Sequence, residues 1–167
     1  IVEAIKDTMK RIEGAYSIVV MLKDKLIAVR DPHGIRPLVM GNIENGTIFA
    51  SENAAIEILG GTFTRDVAPG EIVVVDSEGE HSYMFEHQSK KSHCIFEHIY
   101  FARNDATRDD INSYMFRRRS GKIMWRESPC DVDLVVPVPD SGYPSAIGYS
   151  QESGIPLAEG LVKNRYM

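Results

Sequence analysis

The chain has 167 residues, 43% of them hydrophobic, and a formal net charge of -5. That is enough apolar material for one domain, or for one and part of another, and it gives no general electrostatic reason to expect nucleic-acid binding. No apolar run approaches the roughly 18 residues of a membrane span, and no signal peptide is visible.

In chain order, Val2, Ile5, Met9 and Ile12 fall at helical spacing, with Gly14 placed to end the helix. Residues 16–22 (YSIVVML) are nearly all apolar, as expected of a strand covered on both faces. Residues 23–25 turn the chain into a second strand over 26–30. The loop 31–37 (DPHGIRP) holds an acid, a histidine and an arginine; it is a weak catalytic constellation, and a Pro-Gly turn fixed by an ion pair of Asp31 with Arg36 accounts for it equally well. A short strand over 38–41 and the hairpin signal Asn45-Gly46 lead into another over 47–51. A short helix over 52–59 is stopped by Gly60-Gly61. Strands follow over 63–67, 71–76 and 81–85, parted by Pro69-Gly70 and Glu78-Gly79 turns. This first region reads as a layered α+β domain.

Polar residues 86–92 make a boundary or crossover. The run 94–102 (CIFEHIYFA) is apolar enough to be buried, 103–112 is polar and turn-rich, and a helix is expected from about 113 to 127. Its basic run Arg117, Arg118 and Arg119 reads as a solvated face or a subunit contact. From residue 133 the rhythm changes to strand, loop, helix and second strand. The overall class is α/β, with one partial domain joined to the start of another.

The turn Pro139-Asp140-Ser141-Gly142 lies at the carboxyl end of that strand, where open α/β sheets bind ligands and helix N-termini favour anions. Ser141 either offers its hydroxyl to a phosphate or a hydrated Mg²⁺, or caps the following helix. Lys163 and Arg165 lie two residues apart after the next strand, so alternation points them the same way. They form a phosphate grip or ordinary surface charge. Cys94 is a buried inert thiol, or one thiolate of an iron–sulfur cluster completed elsewhere; no second cysteine stands at zinc-ligand spacing. Two cysteines in all fit a reducing cytoplasm.

Taken together, RIEGAYSIVVM, RDPHGIRPLVMG, FASENAA, VAPGEIVVV, CIFEHIYFARND, VVPVPDSG and GIPLAEGLVKNRY resemble the amidophosphoribosyltransferase family over essentially the whole chain. RDPHGIRPL is shared with other N-terminal-nucleophile glutamine amidotransferases, such as asparagine synthetases. The order CIFEHIYFAR, VPDS, KNRY separates this family from them.

The resemblance implies a two-domain enzyme. A glutaminase releases ammonia from glutamine, and a type I phosphoribosyltransferase uses it to displace pyrophosphate from phosphoribosyl pyrophosphate, the first step of purine synthesis. Residues 1–90 would be the C-terminal half of an αββα glutaminase layer. Residues 91–167 would be the linker and the first βα unit of the transferase domain. Ser141 then matches an Mg²⁺ ligand with Asp140 beside it, and Cys94 the first cysteine of a [4Fe-4S] cluster found in part of the family. Lys163 and Arg165 match basic residues near the phosphate and nucleotide sites, where purine nucleotides inhibit, and Cys130 reads as a packing residue.

The family's nucleophile is an N-terminal cysteine, whereas this chain begins at Ile1 and ends before the family's acidic phosphoribosyl loop. The expectation is therefore an internal fragment, inactive alone, of a cytoplasmic homo-oligomer, a tetramer in many relatives. Two departures stand out: Asn104 replaces a proline usual in the family, and Tyr143-Pro144 follows the Ser-Gly where small residues are common. The rivals are a non-catalytic nucleotide-binding or subunit-interface module, and another N-terminal-nucleophile amidotransferase.

Overall fold

The computed structural model describes residues 1–86, 90–164 and 166. The chain divides into two compact units, Ile1–Cys94 and Ile95–Met167.

In the first unit, helix α1 (Val2–Met9) precedes β1 (Ser17–Met21), β2 (Leu26–Arg30), β3 (Val39–Ile43) and β4 (Gly46–Ala50). Helix α2 (Asn53–Ile58), β5 (Thr62–Asp66), β6 (Glu71–Asp76) and β7 (Gly79–Met84) complete it. The strands form two antiparallel sheets, ordered β1-β2-β6-β7 and β4-β3-β5. Alternation along β2 divides the core. Ile27 and Val29 face Met9, Ile72, Val74 and Phe85, with Val2 and Ile5 of α1 packed on top. Ala28 faces the other way, meeting Leu38, Met40, Val67 and Val73 between the two sheets. Helix α2 lies against the second sheet through Ile56, which is fully buried. Gly41 permits this approach: a Cβ there would come 2.8 Å from Ile56 and 2.5 Å from the Thr62 carbonyl.

The loop after β2 is built differently from the expected ion pair of Asp31 with Arg36. The Asp31 carboxylate accepts backbone N–H groups from His33 (3.0 Å), Ile35 (3.2 Å) and Arg36 (3.2 Å). Arg30, also fully buried, donates to the carbonyls of Arg36 (2.9 Å), Val67 (2.6 Å) and Gly34 (3.0 Å). These side chains supply partners that a tight buried loop cannot find in its own backbone. Gly34 is left-handed (φ 63°), and a Cβ there would lie 2.7 Å from Pro69.

Two burial expectations are corrected. Strand β1 is not covered on both faces, since Val19 is 48% and Met21 83% exposed. In the run 94–102 the large apolar residues are exposed, and Ala102 and the polar pair are buried. Glu97 and His98 are buried, whereas Ile95, Phe96, Ile99, Tyr100 and Phe101 are each about half exposed or more. Residues Glu97–Phe101 form a π-helix.

The second unit continues with the hairpin of β8 (Thr107–Arg108) and β9 (Ile111–Asn112), then α3 (Ser113–Glu127) and α4 (Tyr143–Ser153). The Asn112 side chain caps α3 by accepting from the Met115 N–H (3.1 Å). Helices α3 and α4 touch through glycines: a Cβ on Gly121 would fall 1.9 Å from the Ser145 carbonyl oxygen, and one on Gly148 1.9 Å from that of Arg118. Trp125 meets Tyr149 edge to face across the same contact, with centroids 5.4 Å apart. The strand expected from residue 133 appears as a single parallel bridge, Val135 to Leu157, with α4 as the crossover. Val135 N–H donates to Pro156 O (2.9 Å) and Ala158 N–H to Val135 O (3.0 Å).

Candidate functional site

In the second unit the turn ending the bridged segment borders a cavity of ≈ 540 Å³. One wall is residues 100–105, leaving the π-helix; Arg117 of α3 lies behind it, and Pro139, Asp140, Ser141 and Lys163 complete the lining. Three of the expected site residues, Asp140, Ser141 and Lys163, are thus brought together. Arg165 lies outside the described residues.

The turn is tight because Gly142 N–H donates to Val138 O (3.1 Å), and a Cβ on Gly142 would sit 2.5 Å from that oxygen. Gly142, not Ser141, occupies the N-cap of α4, and no side chain caps the helix. The capping role open to Ser141 is therefore not filled, and among the described residues its hydroxyl has no hydrogen-bond partner. Asp140 and Lys163 approach each other at 3.4 Å, both side chains 63% exposed. They form a solvent-screened ion pair that opens at small cost.

Sequence reasoning missed the cavity's other wall. Arg117, almost fully buried, donates to His98 O (2.8 Å), Ala102 O (2.7 Å) and Asn104 Oδ1 (2.5 Å). Of the triple-arginine run, one member is thus a structural anchor rather than a solvated face. The Asn104 backbone carbonyl also holds α3, accepting the Tyr114 N–H (3.0 Å). Its side-chain oxygen, bound by Arg117, is the acceptor that a proline at this position would lack. Arg103 grips Asp105 through two hydrogen bonds (3.0 and 2.8 Å), which hold the Asp105 carboxyl below its ordinary value. A visible signal was the Arg-Asn-Asp run itself, beside the aromatic segment.

The lining fits a hard cation such as Mg²⁺ in donor chemistry: a hydroxyl with no partner among the described residues, a carboxylate on an ion pair that opens readily, and room for water and phosphate oxygens. Of the two cysteines in this chain, Cys94, expected as one thiolate of a cluster completed elsewhere, is half-buried, and Cys130 is exposed with its Sγ 3.8 Å from Ser128 O. A second group of donors, Asp76, Glu78 and His81, lies within 4.8 Å on the β6–β7 hairpin. There, however, Asp76 already carries the Lys25 ammonium (2.5 Å) and the Glu78 N–H (2.9 Å).

Residues 1–57 match the family described as "Glutamine amidotransferase domain". Curated relatives named amidophosphoribosyltransferase include that of Synechocystis, 50% identical over 92% of this chain, and that of Archaeoglobus fulgidus, 44% identical over all of it. The chain covers 32% and 36% of those two proteins, so it spans about a third of the length of the curated relatives it matches. A solved structure of the glutamine phosphoribosylpyrophosphate amidotransferase from B. subtilis, complexed with ADP and GMP, superposes with a TM-score of 0.92 at 39% identity. It matches 98% of this chain and 36% of its own. A structure described as the allosteric regulatory enzyme of purine biosynthesis gives 0.93, also at 39% identity. The resemblance carried by the motifs is thereby shown: along nearly all of its length, this mixed α/β chain corresponds to one stretch of the amidophosphoribosyltransferases.

Proposed function

We propose that the whole protein bearing this chain makes 5-phosphoribosylamine from phosphoribosyl pyrophosphate and glutamine, the first step of purine synthesis. The first unit would belong to the glutaminase layer and the second would open the phosphoribosyltransferase domain. The observation that carries this reading is the Pro139-Asp140-Ser141 turn, whose hydroxyl has no partner among the described residues, on one cavity with Lys163, within a chain matched from end to end.

The cavity's chemistry follows from its groups. Lys163 is a flexible point charge that gains more from a multiply charged pyrophosphate than from one exposed carboxylate. When the anion draws Lys163 away, Asp140 is released. Asp140 and Ser141 would then hold Mg²⁺, which when bound offsets charge building up on the departing pyrophosphate. Arg117 takes no part as a free charge. It locks the carbonyls of His98 and Ala102, so the opposite wall keeps its shape when the anion arrives.

Free cysteines support a reducing compartment, and we place the enzyme in the cytoplasm. Purine nucleotides, bound by the B. subtilis relative, are the proposed inhibitors at Lys163, and a homo-oligomer the proposed assembly.

The test is glutamine-dependent pyrophosphate release by the whole protein, with and without Mg²⁺. Release that needs both supports the proposal, and its absence sinks it. Ser141→Ala should lower kcat/KM for phosphoribosyl pyrophosphate by about 10-fold, the scale of one lost hydrogen bond to a charged group.

A further inference from the structure

Resting on that reading, the structure assigns a positioning role to Tyr143 and Glu159: their hydrogen bond holds the arm carrying Lys163 against the phosphate-side turn once Lys163 has left Asp140.

The chain running to Lys163 leaves secondary structure early. Ala158 is the last residue joined by backbone hydrogen bonds to the strand at Val135. Residues 159–164 are all exposed. Among the described residues, two side-chain hydrogen bonds tie this arm to the turn. One joins Lys163 Nζ to Asp140 Oδ2 at 3.4 Å; the other runs from Tyr143 Oη to Glu159 Oε1 at 2.7 Å.

These two ties differ in kind. The Lys163 contact is long and uses the group that must turn toward an incoming anion, so binding consumes it. The Tyr143 contact is short, charge-assisted and uses neither the turn's carboxylate nor its hydroxyl. Tyr143 opens α4, which the glycine contacts fix against α3, so its phenol projects from a rigid base. A small residue at 143 has no such reach. Gly160 adds a packing contact: its backbone lies against Val136, where a Cβ would meet the Val136 side chain at 2.9 Å.

An arm held at residue 159 keeps Lys163 within a short tether of the cavity, which raises its effective concentration at the anion. Losing the tie should weaken binding of phosphoribosyl pyrophosphate and leave the chemical step alone.

The experiment measures KM and kcat for pyrophosphate release by the whole protein carrying Tyr143→Phe, Glu159→Ala, Glu159→Gln or the double change Tyr143→Phe/Glu159→Ala. Tyr143→Phe and Glu159→Ala should each raise KM about 3- to 10-fold, the scale of one lost hydrogen bond, with kcat little changed. The double variant should be no worse than either single one. Glu159→Gln should fall between wild type and Glu159→Ala, because an amide oxygen still accepts from the phenol but without the charge. Unchanged KM in Tyr143→Phe, additive single effects, or Glu159→Gln behaving as Glu159→Ala would each overturn the assignment. A wild-type protein that releases no pyrophosphate would refute the proposed function and this inference with it.

Discussion

Consider the replacement Gly148→Ala. The added methyl would lie 1.9 Å from the Arg118 carbonyl oxygen and 2.9 Å from its carbon, inside the 3.0 Å that real Cβ contacts keep. The obstacle is backbone, so no side-chain rotation relieves it, and α3 and α4 must separate by roughly 1 Å. That movement strains the Ser145 Oγ hydrogen bond to Arg117 O (3.1 Å), the Arg118 contacts to Gln151 (2.9 and 2.7 Å) and the Trp125 packing on Tyr149. Overpacking of this kind costs ~3 kcal/mol at the upper end of its usual range. Helix propensity returns ~1 kcal/mol, because alanine is the better helix former. The net expectation is a loss of about 2 kcal/mol, which lowers a urea midpoint by about 1 M at an ordinary slope. Trp125 is the chain's one tryptophan and sits in this contact, so its fluorescence reads the second unit directly. Gly154→Ala is the control. Gly154 is left-handed (φ 77°) with nothing within 4 Å, so it carries only a conformational cost of about 1 kcal/mol. A midpoint for Gly148→Ala equal to or above wild type would refute the close helix contact, for propensity alone would then be acting.

Other expectations can be checked in the same way. Asp109 and Asp110 are both left-handed at the β8–β9 tip (φ 47° and 63°), so Asp110→Gly should stabilise the second unit by roughly 1 kcal/mol, and a lower midpoint would contradict this. Arg30→Met strands two buried carbonyls and a part-buried one and should cost the first unit about 3 kcal/mol, read by circular dichroism in urea; an unchanged midpoint would show those oxygens find other partners. Burial pushes the Glu71 carboxyl up, but Arg65, the Ala68 N–H and Ser82 outweigh it, and its pKa lies below the ordinary 4.5. A carboxylate depressed in the folded state stabilises fully above its unfolded pKa and loses that contribution as pH falls through the folded value. Stability should therefore drop below about pH 4.5, more steeply for wild type than for Glu71→Gln, and equal slopes would refute the assignment.

What the sequence determined by itself is whatever depends on neighbours in the chain. The Asn45-Gly46 turn is a local preference and stands where expected, joining β3 to β4. The helix expected over 113–127 has those bounds, because its cap, Asn112, lies one residue away. The motifs carrying the family resemblance are likewise contiguous strings. Tertiary structure decided what depends on distant residues. Apolarity of residues 94–102 implied burial, yet Glu97 and His98 are the residues buried in the π-helix and its large apolar side chains are exposed. The Asp31 carboxylate went to backbone N–H groups, because a folded loop had to satisfy its own polar atoms. The cavity gathers residues 100–105, 117, 139–141 and 163, and the tie from Tyr143 to Glu159 spans sixteen positions. Such pairings leave no periodic trace, since short-range preference sets turns and caps, while the approach of separated segments is set by packing of the whole unit.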